Sequence, residues 1–276
     1  MKLSEIFSSA TKPFPSLEFV PPLKETGLEV LYETLDPLME IRPPYVNITC
    51  HRDDTAHPST VATAAAIMKR YDAEVVPHVI CAGNTDSDIL RELFDLRFLG
   101  VENIMALRGD NSSEHADSLV RKVRQNFGET FCVGVAGYPE VHFECASFTQ
   151  DIANLKRKVD CGADYIITQM FFDNSRFFNF VDACRAAGIT VPIIPGLKPL
   201  ANKGHLHKLP ETFSIGMPPE LVREVSACRD DAAARRIGIE WCVAQSRELI
   251  SRGVPAVHYY TMSRGANILE IIKKIF

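Results

Sequence analysis

Leu17-Glu18-Phe19-Val20-Pro21-Pro22 decides between the two α/β architectures open to this chain. Its first four residues read as a short buried strand. An open doubly wound sheet follows its first strand with a glycine-rich turn whose backbone N–H groups hold a pyrophosphate. Here two prolines follow, and proline has no N–H to offer. The alternative is a closed barrel, in which the strand exits present side chains rather than a phosphate loop.

The rest of the chain repeats the same unit. Runs rich in Val and Ile alternate with segments of helical period. Eight strands are predicted: Leu17–Val20, Tyr45–Thr49, Glu74–Val79, Asn103–Leu107, Cys132–Ala136, Tyr165–Thr168, Val191–Ile194 and Ala256–Tyr260. Most are apolar on both faces, as parallel strands covered by helices are. Among the helices, Leu28, Leu31, Leu35 and Leu38 share a face, and Thr85 caps a helix that Gly100 stops. Ile268, Ile271, Ile272 and Ile275 form a closing helix. Eight such units with right-handed crossovers give an α/β fold, a single (β/α)8 TIM-type barrel spanning residues 1–276. The stretch from His205 to Asp231 is longer than one helix needs, so an elaboration is expected between strands seven and eight.

Composition narrows the function. The 276 residues are 46% hydrophobic and 24% charged, which suits a globular core. Thirty Lys and Arg against 35 Asp and Glu form no basic stripe, so no nucleic-acid partner is expected. No run of 18 apolar residues exists to span a membrane, and the polar start of the chain lacks a signal-peptide core. The eight cysteines are widely spaced and read as thiols of a reducing, cytoplasmic setting. Neither Cys50-His51…His57 nor His205-Leu206-His207 has structural-zinc spacing, and no metal is expected. Phosphate-loop, nucleophile-elbow and zinc-protease motifs are also missing.

The polar residues gather where the strands end. Glu18 sits inside an apolar strand, and two readings stand level: a carboxylate paired with a buried Arg or Lys, or a general acid whose pKa desolvation raises. Strand three carries His78, strand four Ala106-Leu107-Arg108-Gly109-Asp110, and strand five Tyr138-Pro139-Glu140-Val141-His142. Strand six leads to Thr168-Gln169-Met170-Phe171-Phe172-Asp173, strand seven to Pro195-Gly196-Leu197-Lys198, and strand eight to Tyr260 and Arg264.

Taken in order with Asp151-Ile152-Ala153-Asn154-Leu155-Lys156-Arg157-Lys158, these motifs resemble the methylenetetrahydrofolate reductase family from about Leu17 onward. The likeness is to the short bacterial form, without a regulatory domain. It implies non-covalent FAD, NADH or NADPH as co-substrate, and reduction of 5,10-methylenetetrahydrofolate to 5-methyltetrahydrofolate in methionine synthesis. It also implies a homo-oligomer whose partners are small molecules.

By resemblance, Glu18 is the general acid, Asp110 the acid beside flavin and pterin, and Gln169 a contact to folate and nicotinamide in turn. Thr49 matches a nicotinamide-nucleotide contact. The flavin shell carries over as His78, Arg108, Gly109, Asp110, Ala116, Ala136, Tyr138, His142, Asp151, Asn154, Arg157 and Lys158, with Arg157 and Lys158 as a pyrophosphate clamp. Asp110, Gln169, His205, Tyr260 and Arg264 fall at folate positions. The chain departs from the family at Cys50, where an aromatic residue is frequent, and around His115 and Ala116, in a shorter loop. Further departures are His205, where a glutamine is common, and Leu209, where some relatives place a stacking phenylalanine. Competing expectations are another flavin-dependent barrel such as a proline dehydrogenase, and a flavin- or folate-binding protein without catalysis. A Schiff-base aldolase barrel would have to use Lys198, for which the sequence offers no activating partner.

Overall fold

The computed structural model describes residues 1–21, 27–50, 57–71, 73–109, 114–261 and 265–276. Its strands are β1 (Phe14–Phe19), β2 (Tyr45–Ile48), β3 (Glu74–Ile80), β4 (Asn103–Leu107), β5 (Cys132–Gly137), β6 (Tyr165–Met170), β7 (Ile193–Leu197) and β8 (Ala256–Tyr260). They close into one barrel in chain order, each parallel to its neighbours, with β8 returning to β1. Around it lie α1 (Leu3–Ser9), α2 (Gly27–Met39), α3 (Thr60–Tyr71), α4 (Asp86–Phe98), α5 (Ala116–Phe127) and α6 (Phe148–Asp160). They continue as α7 (Asn174–Ala186), α8 (His205–Phe213), α9 (Pro219–Ser226), α10 (Asp231–Ser251) and α11 (Gly265–Lys273). The predicted elaboration is present as α8 and α9 leading into α10.

Two expectations need correction. Leu28 is exposed, and α2 buries only Leu31, Leu35 and Leu38, because the helix begins at Gly27 and its first turn stands clear of the barrel. Strand seven runs over Ile193–Leu197 rather than ending at Ile194. Pro195-Gly196 looks like a turn, yet it continues the strand because the barrel wall has no room for a side chain there. A Cβ on Gly196 would lie 2.2 Å from the Thr168 carbonyl oxygen and 2.7 Å from the Tyr260 ring. Helix α1 was not among the predicted elements, although Leu3, Ile6 and Phe7 stand at i, i+3 and i+4.

Period-two alternation divides each strand between two cores. Outward residues such as Leu17, Val46, Val75, Ile104, Val133 and Val257 pack under the helices. Inward residues fill the lumen in two kinds of layer. At the amino-terminal end the filling is apolar and aromatic: Tyr45, Val76, Met105, Tyr165, Ile167 and Ile194. Helix α1 seals this end, with the Leu3 N–H donating to Asn103 Oδ1 at 2.7 Å and Phe7 packed 5.7 Å from the Tyr165 ring centre. At the carboxyl-terminal end the inward residues turn polar. A third core, built from Leu206, Leu209, Ile215, Leu221 and Val225 against Met170 and Phe172, holds the elaboration beside that end.

All eight thiols are free. Among the described residues no helix is long and apolar enough to cross a membrane.

The lumen leaves little tolerance for added volume. Gly134 faces Tyr165, and a Cβ there would lie 2.3 Å from the ring carbon that bears the hydroxyl. Gly134→Ala should therefore cost about 1–3 kcal/mol by overpacking. Chemical denaturation should show a lower midpoint with an unchanged slope.

Candidate active site

The barrel register brings the inward residues of β1, β2, β3, β7 and β8 to one polar layer. Glu18 pairs with Asn47 on one side and Tyr260 on the other. Its carboxylate Oε2 lies 3.4 Å from His78 Nε2 and 3.5 Å from His258 Nε2. His258 is fully buried, and its Nδ1 shares a 2.9 Å hydrogen bond with Ser16 Oγ. Burial pushes the Glu18 carboxyl up. The opposing pull of His258, His78 and Lys198 outweighs it and holds the group below the usual carboxylate range. The neighbours of Glu18 are thus two histidines rather than the Arg or Lys of the sequence reading, and desolvation alone does not set its charge.

The strand exits also support one another. Tyr260 Oη donates to the Thr168 carbonyl at 2.7 Å, and Thr168 Oγ1 accepts the Gly196 N–H at 3.0 Å. Gln169 Oε1 accepts the Met170 N–H at 2.9 Å, which fixes the amide at the mouth of β6. The Thr49 N–H donates to the Phe19 carbonyl at 3.2 Å and so extends the β1–β2 pairing by one residue.

Beside this layer lies a cavity of about 900 Å³. Ten of the residues expected to bind flavin line it: Arg108, Gly109, Ala116, Ala136, Tyr138, His142, Asp151, Asn154, Arg157 and Lys158. Helix α6, capped by Ser147, presents the last four. Lys158 Nζ donates to the Ala136 carbonyl at 2.6 Å, and burial pushes its ammonium down to about 8. Asp151 Oδ2 accepts the His142 N–H at 2.8 Å, which joins the strand-five motif to α6. The His142 ring stands edge-on to Tyr138 at 4.6 Å. Arg108 is paired with Glu144. Gly109 has φ +78°, and a Cβ on it would lie 2.7 Å from that of Ala82, so its backbone is bare toward the cavity wall. Cationic Arg157 and Lys158, flat rings at Tyr138 and His142 and a side-chain-free Gly109 fit a dinucleotide with an anionic bridge.

Other expectations fall elsewhere. Glu18, His78, Gln169 and Tyr260 belong to the lumen layer rather than to the cavity lining. Asp110 and Arg264 lie outside the described residues. His205 opens α8, with its Nδ1 accepting the Ala201 N–H at 3.2 Å, so the ring helps to shape the loop after β7. Leu209 is buried in the elaboration's own core and presents no face to the pocket. Cys50 and His115, set aside as departures, do line the cavity.

The sequence reading passed over Ser16, Asn47 and His258. Each stands two residues before a site residue on its strand (Glu18, Thr49 and Tyr260), a polar i, i+2 pattern that marks the inward face. Both polar atoms of the Asn47 amide are buried without a protein partner in the same layer. Glu140 is a further find. Its Oε2 accepts the Gly216 N–H at 2.9 Å and so ties the β5 exit to the elaboration.

A family profile described as methylenetetrahydrofolate reductase matches residues 2–276. The 5,10-methylenetetrahydrofolate reductase of Escherichia coli is 32% identical over 90% of this chain and 86% of its own length. A probable methylenetetrahydrofolate reductase (NADPH) of Caenorhabditis elegans is 32% identical over 95% of this chain. This chain spans only 42% of that relative, and 45% of methylenetetrahydrofolate reductase 1 of Schizosaccharomyces pombe. Among solved structures, a Clostridium thermocellum protein described as binding two copies of 5-methyl-5,6,7,8-tetrahydrofolic acid superposes with a TM-score of 0.71. It covers 99% of this chain at 15% identity, a likeness of fold. With the profile spanning almost every residue and the Escherichia coli enzyme aligned along most of both chains, the chain belongs to the methylenetetrahydrofolate reductase family.

Proposed function

We propose that this chain is an FAD-dependent oxidoreductase that converts 5,10-methylenetetrahydrofolate to 5-methyltetrahydrofolate, with NADH or NADPH as reductant. One observation carries the reading: ten residues drawn from four separate strand-exit and helix motifs converge on one cavity, next to a buried acid in the barrel lumen. A protein that only bound folate would have no use for that acid.

The lining assigns parts to the ligand. Arg157 and Lys158 would hold the pyrophosphate, and the Asp151–His142 link would fix the ring pair against which the dinucleotide lies. Bound there, the flavin would relay hydride from the nicotinamide to the folate's methylene carbon. The protein's own chemical task is the proton. The folate's five-membered ring must open before its methylene carbon can accept hydride, and opening requires a proton on the departing nitrogen. Glu18 is the acid within the lumen, with Gln169 across the mouth to orient the pterin by donating and accepting.

Purified protein should be yellow, and acid should release intact FAD rather than FMN. A colourless protein that takes up no added FAD overturns the reading. Glu18→Gln should keep the flavin and its bleaching by NADH. Reoxidation of that reduced variant by 5,10-methylenetetrahydrofolate should slow by about 10²–10⁴-fold, the usual contribution of a positioned acid. Stopped-flow absorbance reads both half-reactions in one sample, and equal slowing of the two would reduce Glu18 to a structural role.

A further inference from the structure

Glu18 presents a difficulty for an acid, since its neighbours keep it ionised. Lys198 bears on that difficulty. It follows β7 directly, on the inward alternation that begins with Ile194 and Gly196, and it is 8% exposed. Register places Leu197 beside Tyr259 and Tyr260 beside Glu18, so Lys198, Tyr260 and Glu18 follow one another across three adjacent strands. Lys198 makes no hydrogen bond or ion pair within contact distance of the described residues. Glu18 is the carboxylate whose charge acts on it.

The other groups around it are engaged elsewhere, do not titrate near neutral pH, or already face Glu18. On β8, the Tyr260 hydroxyl is committed to the Thr168 carbonyl, and burial together with Glu18 pushes its ionisation well up. His258, also on β8, is bonded to Ser16, and His78 faces Glu18 from β3. Gln169 on β6 does not titrate, and His205 on α8 accepts from the Ala201 N–H. Burial pushes the Lys198 ammonium down to about 8, with Glu18 pulling it partly back. In the open pocket the pair therefore holds one proton at neutral pH, and Lys198 carries it.

Two opposite charges in a lumen are tolerable only while water reaches them. A pterin seated on the layer removes that water and favours the neutral form of both groups. We propose that Glu18 and Lys198 form a single acid, in which folate binding moves the proton from Lys198 Nζ to the Glu18 carboxylate and Glu18 then delivers it to the departing folate nitrogen. An N–H bond of Lys198 breaks and the O–H bond of Glu18 forms, the proton passing through the water between the two groups before the pterin displaces it. That O–H bond then breaks as the N–H bond of the folate forms, and the ring C–N electron pair goes to the protonated nitrogen. The methylene carbon is left as an iminium, open to the hydride that a bound reduced flavin would supply, and Lys198 regains a proton from water after product leaves. Lys198 thus acts through Glu18 as a positioning residue for the proton. The inference rests on the folate reading given above.

Lys198→Arg and Lys198→Met separate the parts. Arginine keeps the charge and gives up no proton near neutral pH. Both variants should hold FAD and be bleached by NADH like the wild type. Flavin reoxidation by 5,10-methylenetetrahydrofolate in the wild type should fall tenfold per pH unit above about 8. In Lys198→Arg it should be slower by about 10²–10⁴-fold at every pH. In Lys198→Met the alkaline limb should move to lower pH, because Glu18 then holds its own proton. Infrared difference spectra on adding tetrahydrofolate, which has no methylene to reduce, give a readout apart from turnover. A protonated-carboxyl band should appear in the wild type and be missing in Glu18→Gln and Lys198→Arg. An alkaline limb shared by the wild type and both variants, or the same carboxyl band in Lys198→Arg, overturns the proposal and leaves the folate reading intact. Wild-type flavin that 5,10-methylenetetrahydrofolate fails to reoxidise overturns the folate reading itself. Should neither variant retain flavin, the wild type decides alone: a limb near 8 together with the carboxyl band supports the pair, and the lack of either overturns it.

Discussion

A closed parallel barrel has no free edge, so every inward side chain must be matched to the others across the lumen. This constraint governs the rest of the molecule. At the amino-terminal end it is met by aromatic volume, with Tyr45 and Tyr165 filling space that Gly134 concedes and α1 closing the base. At the carboxyl-terminal end the same alternation delivers polar groups instead, and Glu18, His78 and His258 come together only because three strands meet there. One geometric rule thus produces a dry plug below and a charged layer above.

Much of this was legible in the sequence. The strands were readable because both of their faces are buried, which leaves short apolar runs between helical segments. Strand β7 was cut short because Pro195-Gly196 carries a turn signal, and only the crowding of Thr168 and Tyr260 shows why the glycine lies in the wall. Helix α1 was passed over because it has only seven residues, and its stripe of Leu3, Ile6 and Phe7 is too brief to show a helical period. The flavin-side motifs were legible as blocks, and ten of their residues do meet in one cavity. The lumen layer was legible only in part. Alternation tells which way His258 or Lys198 points, but not that each stands across from Glu18. The carboxyl's ionisation followed from that placement, and burial alone suggested the opposite. His205 and Leu209 were placed by counting from Pro195-Gly196, and the structure sets both in α8, where His205 accepts the Ala201 N–H and Leu209 joins the core of the elaboration.

The two cations with depressed ionisation illustrate how location sets the role of one residue type. Lys158 and Lys198 are both pushed to about 8 by burial. Lys158 is anchored on the Ala136 carbonyl and faces a cavity with Arg157 beside it, an arrangement for holding an anion. Lys198 has no such anchor and stands near a carboxylate, an arrangement that leaves its proton transferable.

The pairing of β8 with β1 has a consequence for how the protein is made. Ser16 and His258 are 242 positions apart, and the Thr261 N–H closes onto the Glu18 carbonyl. During synthesis Glu18 leaves the ribosome long before the imidazole that faces it. The contact is of the most distant kind in sequence, and such contacts form slowly. Until it forms, the nascent barrel is an open sheet with two unpaired edges and an uncompensated carboxylate on its inner face. Closure therefore ends the exposure of those edges at the same moment that it completes the charged layer around Glu18, so a chain arrested before β8 would be prone to associate and would lack that layer.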